Sequence, residues 1–222
     1  MRYLTPCLLA LLLTGCPSSP VASAPSATPS SVSPADDKVA LDVLSPYVVG
    51  RVFEYESRTK EPGYTETVLE RLTLPDGRRA VKTRQDFPDF SVEILRVVDD
   101  AGRLVRLEHK TSEGQSAKYE PNGFLTAVPL RVDETWDLPV RIVQLSKERK
   151  HEAAPLRPFT GRIVEKIEPV STPLGSFPIG YKLEAHFDGS DFTEWHVPGI
   201  GCVSTRGGGT DRYLVRLTEP ES

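Results

Sequence analysis

The chain has 222 residues, 38% hydrophobic and 26% charged, with a net charge of −4. That balance is ordinary for a globular domain and excludes a bundle of membrane-spanning helices. The slight acidic excess leaves none of the basic face on which nucleic-acid binding depends, so no nucleic-acid partner is expected. Twenty prolines and 16 glycines beside a single methionine point to strands and turns rather than helices.

The first predicted element is an export signal. Arg2 supplies a short positive region, and Leu4 to Leu13 form an apolar stretch interrupted by Thr5 and Pro6. That stretch is too short to span the roughly 30 Å of bilayer hydrocarbon as a helix. Leu13-Thr14-Gly15-Cys16 follows and resembles the bacterial lipobox: a branched apolar residue, two small residues and a cysteine. The resemblance implies cleavage behind Gly15, with residues 1–15 lost, and lipidation of the Cys16 thiol. The small residues fit a peptidase groove, and the thiol is the nucleophile that accepts the diacylglycerol.

Cys7 leaves with the signal and Cys16 is consumed by the lipid, so of three cysteines Cys202 remains. One thiol forms no intramolecular disulfide, and the domain must hold together through its core. Cys202 lies between Gly201 and Val203 in a predicted strand, which reads as a buried, inert thiol. A nucleophilic thiol would need an imidazole to lower its pKa, and His196 is the histidine nearby in sequence.

Residues 16–36 carry the lipidated cysteine and then little but Pro, Ser, Ala, Thr and Val. Such a composition lacks the apolar bulk to fold and predicts a solvated, disordered tether. Pro17 and Ser18 stand where an inner-membrane retention signal would place Asp. The expected location is therefore the cell envelope, at the periplasmic face of the outer membrane if the organism has one. No second Pro/Ser-rich stretch divides residues 37–222, which predicts a single domain of a size able to bury a substantial core.

Within that domain a short helix is expected around Lys38–Leu44, and strand signals dominate thereafter. Arg51–Thr59 alternates apolar and polar residues. Tyr64–Leu74 and Arg78–Phe87 flank Pro75-Asp76-Gly77, a hairpin turn; Phe90–Val98 and Leu104–Lys110 flank Asp99-Asp100-Ala101-Gly102, a second one. Further strands are expected over 117–120, 124–130, 140–150, 161–170, 177–187, 192–197, 202–206 and 212–218. The fold class predicted is all-β: an antiparallel meander, closed or half-closed into a barrel. Glu93, Arg96, Arg103, Arg106, Glu108, Lys147 and Glu165 recur among branched residues with a period near two, which assigns them to the solvated face. Glu54 and Glu56 share a strand face read as wet. The mixed run Lys147–His151 reads as a charged sheet edge that resists edge-to-edge pairing.

Several segments carry a family resemblance over most of the domain. Pro46-Tyr47-Val48-Val49-Gly50 precedes the first aromatic strand, and Pro129-Leu130 leads to Trp136 in the middle. Val170-Ser171-Thr172-Pro173-Leu174-Gly175-Ser176-Phe177 is followed by Glu194-Trp195-His196-Val197-Pro198-Gly199-Ile200-Gly201-Cys202-Val203. This order resembles the TapB-like bacterial lipoproteins, although Asp133 or Glu134 stands where that family has Gly. The resemblance implies a curled, incompletely closed barrel similar to the lipoprotein carriers LolA and LolB, and it brings no catalytic residues. Trp136, Trp195, Pro198, Gly199 and Gly201 become the candidates for ligand contact or architecture. Trp195 is large enough to plug a barrel end, Pro198-Gly199 reverses the chain, and Gly201 lets backbone pass close to the indole. Pro173 and Gly175 bracket a tight turn.

His186-Phe-Asp188-Gly-Ser190-Asp191-Phe-Thr-Glu194-Trp-His196 is the densest polar segment. It holds the atom types of a metal site or a Ser–His–Asp relay, with His186 and His196 as metal candidates able to approach across a hairpin. The segment is first of all what a hairpin turn looks like, with Asp and Ser capping their own backbone, and no metal or cofactor is expected. Nucleophile elbow, P-loop, Cys-x-x-Cys and His-Glu-x-x-His patterns are missing. The function expected is a non-enzymatic binding or carrier module, held to the membrane by acyl chains on Cys16, with an apolar concave sheet for an apolar ligand. The alternatives are an accessory lipoprotein that binds envelope proteins, or a metal-dependent enzyme using His186 and His196.

Overall fold

Alternating side chains and frequent turns produce fifteen strands in a computed structural model that describes residues 42–121, 123–145, 155 and 157–221. They are β1 (Val52–Ser57), β2 (Tyr64–Thr73), β3 (Arg79–Asp86), β4 (Ser91–Val98), β5 (Leu104–Thr111), β6 (Ser116–Pro121), β7 (Phe124–Ala127) and β8 (Thr135–Leu145). The second half contributes β9 (Arg157–Ile167), β10 (Val170–Thr172), β11 (Gly175–Phe177), β12 (Gly180–Phe187), β13 (Ser190–Val197), β14 (Gly201–Gly207) and β15 (Thr210–Thr218). The predicted turns sit between them. At β2–β3 the Leu74 amide donates to the Arg78 carbonyl (2.9 Å), Asp76 accepts the Arg78 amide, and Gly77 takes φ +86°. At β4–β5 one Asp99 oxygen accepts the amides of Ala101 and Arg103, the local capping for which Asp is selected in turns.

The fold is all-β, but the barrel is closed. Twelve antiparallel strands form the ring β4-β3-β2-β1-β15-β14-β13-β12-β9-β8-β6-β5, and a β4–β5 ladder completes it. Hairpin turns announce neighbours in sequence; the pairing of β1 with β15, from Val52↔Thr218 to Ser57↔Arg212, joins the two ends of the meander and has no local signal. The incompletely closed form implied by the family resemblance is therefore corrected. β7 lies outside the ring order and pairs with β5 alone, beyond β6 on the same edge (Leu104↔Ala127, Arg106↔Phe124). β8 pairs with β6 only from Val140 onward, while Trp136–Pro139 pair with β9 alone. A seam thus runs between β7 and the first half of β8. Pro139, which has no amide to donate, stands where the β6 ladder stops.

No helix forms among the described residues. Of the helix expected at Lys38–Leu44, residues 38–41 lie outside the described ones, and Asp42–Tyr47 make consecutive turns (Ser45 amide to Asp42 carbonyl, 2.8 Å; Tyr47 amide to Leu44 carbonyl, 2.9 Å). Those turns tuck Val43 and Leu44, 7% and 1% exposed, among Phe53, Val68, Val81, Val98, Leu104, Val197, Val203 and Leu214. A second cluster gathers Trp136, Leu138, Val140, Phe159, Ile163 and Leu183. The charged run Lys147–His151 lies outside the described residues. β10 and β11 form a separate hairpin around the Pro173–Gly175 turn.

Gly161 shows how register fixes packing. It pairs with Trp136 across β8–β9, and a Cβ there would stand 2.2 Å from the indole Cζ2 and 2.6 Å from the Glu184 carbonyl. The ring lies across the bare glycine. Gly161→Ala is expected to destabilise the domain by about 1–3 kcal/mol, the usual range for overpacking. It should also shift Trp136 emission, both read in urea denaturation followed by tryptophan fluorescence.

Candidate functional site

Period-two alternation sends every second side chain of the ring strands into the barrel lumen, and these are not uniformly apolar. On β2, Tyr64, Glu66 and Val68 share a face; on β4, Ile94, Arg96 and Val98 do. Glu66 is 6% exposed and Arg96 4%. Arg96 and Arg106, expected on the solvated face, are thus corrected: both line the lumen, opposite one another across the β4–β5 ladder at its bulge. On β4 Arg96 alternates with the buried Ile94 and Val98, and on β5 Arg106 alternates with the buried Leu104.

Two adjoining cavities occupy the lumen. One, of about 210 Å³, is lined by Tyr55, Tyr64, Glu66, Gln85, Arg96 and Arg106. The other, of about 200 Å³, lies under the β7–β8 seam against Phe124, Val128, Trp136, Phe159, Leu183 and Phe192. Their walls have Phe124, Leu125, Thr126, Glu194, Thr205 and Arg212 in common. Together they reach the volume of small-molecule sites, about 300–1,000 Å³. The apolar cavity is framed by Phe124 stacked on Phe159 (4.6 Å between centroids, 21°) and edge-on to Phe187.

Charge is unevenly compensated. Arg96 forms an ion pair with Glu66 (2.9 Å) and donates to Thr83 Oγ1 (2.6 Å), and Gln85 donates to Glu66 (2.8 Å). Burial alone would raise the Glu66 carboxyl, but Arg96, Gln85, Thr83 and Arg106 hold it below the usual range. Arg212 reaches Glu61 at 2.8 Å. Among the described residues Arg106 has no such carboxylate: one of its terminal nitrogens lies 3.5 Å from the Tyr119 hydroxyl, and its guanidinium sits near the Tyr119 and Phe124 rings. The Nε atoms of Arg96, Arg106 and Arg212 and Nε1 of Trp136 are buried without hydrogen-bond partners. Burial, and then Arg106, hold the His109 imidazole below its ordinary pKa, and burial pushes the Tyr47 phenol up to about 12.

The structure separates the histidines expected to approach. His186 pairs with Asp191 near one end of the β12–β13 hairpin, exposed, with Nδ1 2.8 Å from the carboxylate; His196 pairs with Tyr181 at the other end. Five ladder steps, about 17 Å of strand, lie between them. His196 is instead 3% exposed, with Nε2 2.9 Å from Glu194 Oε2. Across the β13–β14 bulge it faces Cys202, and the donor atoms of Glu194, His196 and Cys202 all lie within 4.8 Å of one another. Burial lowers the His196 pKa, but Cys202 and Glu194 beside it outweigh that and raise it to about 10.

Of the other candidates, Trp136 lines the apolar cavity. Trp195 does not plug a barrel end: it pairs with Lys182 and Ser204, on the face opposite Glu194, and lines an outer groove with Arg58, Val170 and Tyr213. Gly201 (φ +93°) lies against Pro46, not against an indole. Gly199 (φ +75°), after Pro198, forms the reversal, where the Ile200 amide donates to the Val197 carbonyl; its own carbonyl accepts from Arg51 (2.9 Å). Glu54 pairs with Arg216 and Glu56 accepts from Tyr213. Glu66 and Arg212 escaped the sequence reading because a charge between strand-forming residues looks like a wet face.

No family model, curated protein or solved structure matches the chain.

Since its folded pKa is depressed, Glu66 contributes stability above about pH 4.5 that is lost as pH falls through the folded value. Glu66→Gln is expected to flatten part of the acid limb of urea-denaturation stability between pH 7 and pH 3. At pH 7 it should destabilise by about 3–5 kcal/mol, because Arg96 is left buried and unpaired, whereas Glu66→Leu with Arg96→Met should cost far less.

Proposed function

We propose that the chain is an acyl-anchored lipoprotein of the bacterial cell envelope, tethered through Cys16, whose barrel lumen binds an amphiphile bearing an anionic head. The role is that of a binding or carrier module rather than a catalyst. One observation carries the reading: an apolar, aromatic-lined cavity adjoins a polar one in which Arg106 lacks a carboxylate partner among the described residues. A hydrocarbon tail among Phe124, Trp136, Phe159 and Leu183 leaves water, and a carboxylate or phosphate at Arg106 receives the charge-assisted hydrogen bonds its guanidinium lacks. The seam between β7 and β8 is the path by which a tail reaches the cavity beneath it. A second reading, an accessory lipoprotein that docks on envelope proteins, draws on the outer groove of about 320 Å³ around Trp195, Tyr213 and Pro173.

The anchor follows from the Leu13–Cys16 motif and the Pro/Ser-rich residues behind it. A diacylglyceryl group with a third chain exceeds the two-chain requirement for stable membrane binding. Cys16→Ser is expected to move the protein from the detergent phase to the aqueous phase with its fold intact; continued membrane partitioning would overturn the anchor.

For the lumen, dansyl-undecanoate binding to the Cys16→Ser protein is expected to be saturable. Arg106→Leu should weaken it by about tenfold or more, the worth of a hydrogen bond to a charged group, and Ala185→Trp should abolish it by filling the cavity. Trp195→Ala, on the outer groove, should leave it unchanged. Absence of probe binding, or equal binding by Arg106→Leu and Ala185→Trp, would overturn the lumen reading.

A further inference from the structure

We infer that Glu194, His196 and Cys202 form a binding site for a single zinc-like divalent ion in the wall of the barrel. It stands independently of the amphiphile reading, on the donor set and its placement.

The three residues supply one oxygen, one nitrogen and one sulfur, a combination suited to a borderline-soft ion that takes four ligands tetrahedrally. Zinc bonds lie near about 2.0–2.2 Å for oxygen and nitrogen and about 2.3 Å for sulfur. Donors sharing one ion therefore stand roughly 3–4 Å apart. Glu194 Oε2 and His196 Nε2 are 2.9 Å apart, and all three donor atoms lie within 4.8 Å. Side-chain rotation closes the remaining gap.

The ladder does the positioning. Glu194 and His196 are two residues apart on β13, and the β13–β14 register shift sets Cys202 opposite His196. A bulge re-aims side chains in this way. The Tyr55 hydroxyl donates to the Cys202 carbonyl at 2.9 Å and pins that backbone. Besides the His196 imidazole, the thiol's contacts are Thr205 Oγ1 at 3.3 Å and the Ser204 carbonyl at 3.4 Å, neutral groups that an ion readily displaces.

Charge favours an ion as well. A thiolate and a carboxylate neutralise a divalent cation, so the occupied site adds no net charge to a lumen already holding Arg96, Arg106 and Arg212. Cys202 lines both the polar cavity, with Glu194, and a smaller pocket of about 50 Å³, with His196. Three protein ligands leave a fourth position for water or a ligand group. His186 and Asp191 offer no comparable site: both are exposed, and no third donor joins them among the described residues.

The test uses the full chain with Cys7→Ser and Cys16→Ser in every sample, so that Cys202 is the one thiol. Titration with cobalt(II) is expected to raise a thiolate-to-cobalt charge-transfer band that saturates at one ion per chain and is bleached by zinc. Cys202→Ser should remove the band. His196→Asn and Glu194→Gln should each weaken binding by at least the about 10–100-fold that loss of an outer-shell partner costs, while His186→Ala changes nothing. Circular dichroism of each variant establishes that the barrel is intact, and Glu194→Gln, at a partly exposed side chain, keeps the test open if Cys202→Ser misfolds. Absence of the band, or a band indifferent to both His196→Asn and Glu194→Gln, would overturn the site.

Discussion

Closure of twelve strands into one ring fixes a lumen wider than side chains of ordinary packing can fill. Eight-stranded barrels enclose a space that side chains just occupy, and diameter grows with strand number. This ring resolves the excess in three ways. Val43 and Leu44 turn inward beside Leu214 and Val203; Phe124, Phe159 and Phe187 pack as a cluster; and the remaining volume stays open as two adjoining cavities.

The open volume explains the charges within it. Glu66 and Arg96 are nearly as buried as the valines beside them, and a buried pair is at best a modest source of stability compared with apolar residues of like volume. Their value lies in what they do to neighbours. Arg96 holds Glu66 ionised, Glu66 accepts from Gln85, and Arg106, across the ladder from Arg96, is left with its charge directed toward Tyr119 and Phe124 rather than a carboxylate. The lumen thus places a guanidinium without a carboxylate partner among the described residues next to a cavity walled by Phe124, Trp136, Phe159 and Leu183.

Strands and turns were legible residue by residue because their causes are local. Pro75-Asp76-Gly77 and Asp99–Gly102 specify their hairpins through Asp capping and a glycine at positive φ, and most strand bounds fall near the alternation, but β8 starts at Thr135 rather than Val140 and the strand expected over 177–187 divides between β11 and β12. Closure was not legible, since β1 and β15 meet through pairing across the whole domain. Nor was the content of the lumen: Arg96 sits in step with Ile94 and Val98, but a charge in a strand reads as solvated until the barrel is known to be wide. The same limit applies to the histidines. His186 and His196 looked like partners from their hairpin, whereas cross-strand register places them at opposite ends and brings Cys202 to His196 through a bulge that no spacing rule announces. Trp136 stood out only through the Pro129–Trp136 segment of the family resemblance, and Gly161 beneath it did not stand out at all, because the indole and the glycine meet only across the β8–β9 ladder.

The most direct measurement is native mass spectrometry of the protein purified in a mild detergent from cells that produce it. A covalent mass for the acylated Cys16 terminus is expected, together with a non-covalent adduct of an anionic amphiphile that is released on unfolding and diminished in Arg106→Leu. A chain that carries no adduct on purification, and takes up none on incubation with fatty acid or lysophospholipid, would contradict a ligand-holding lumen.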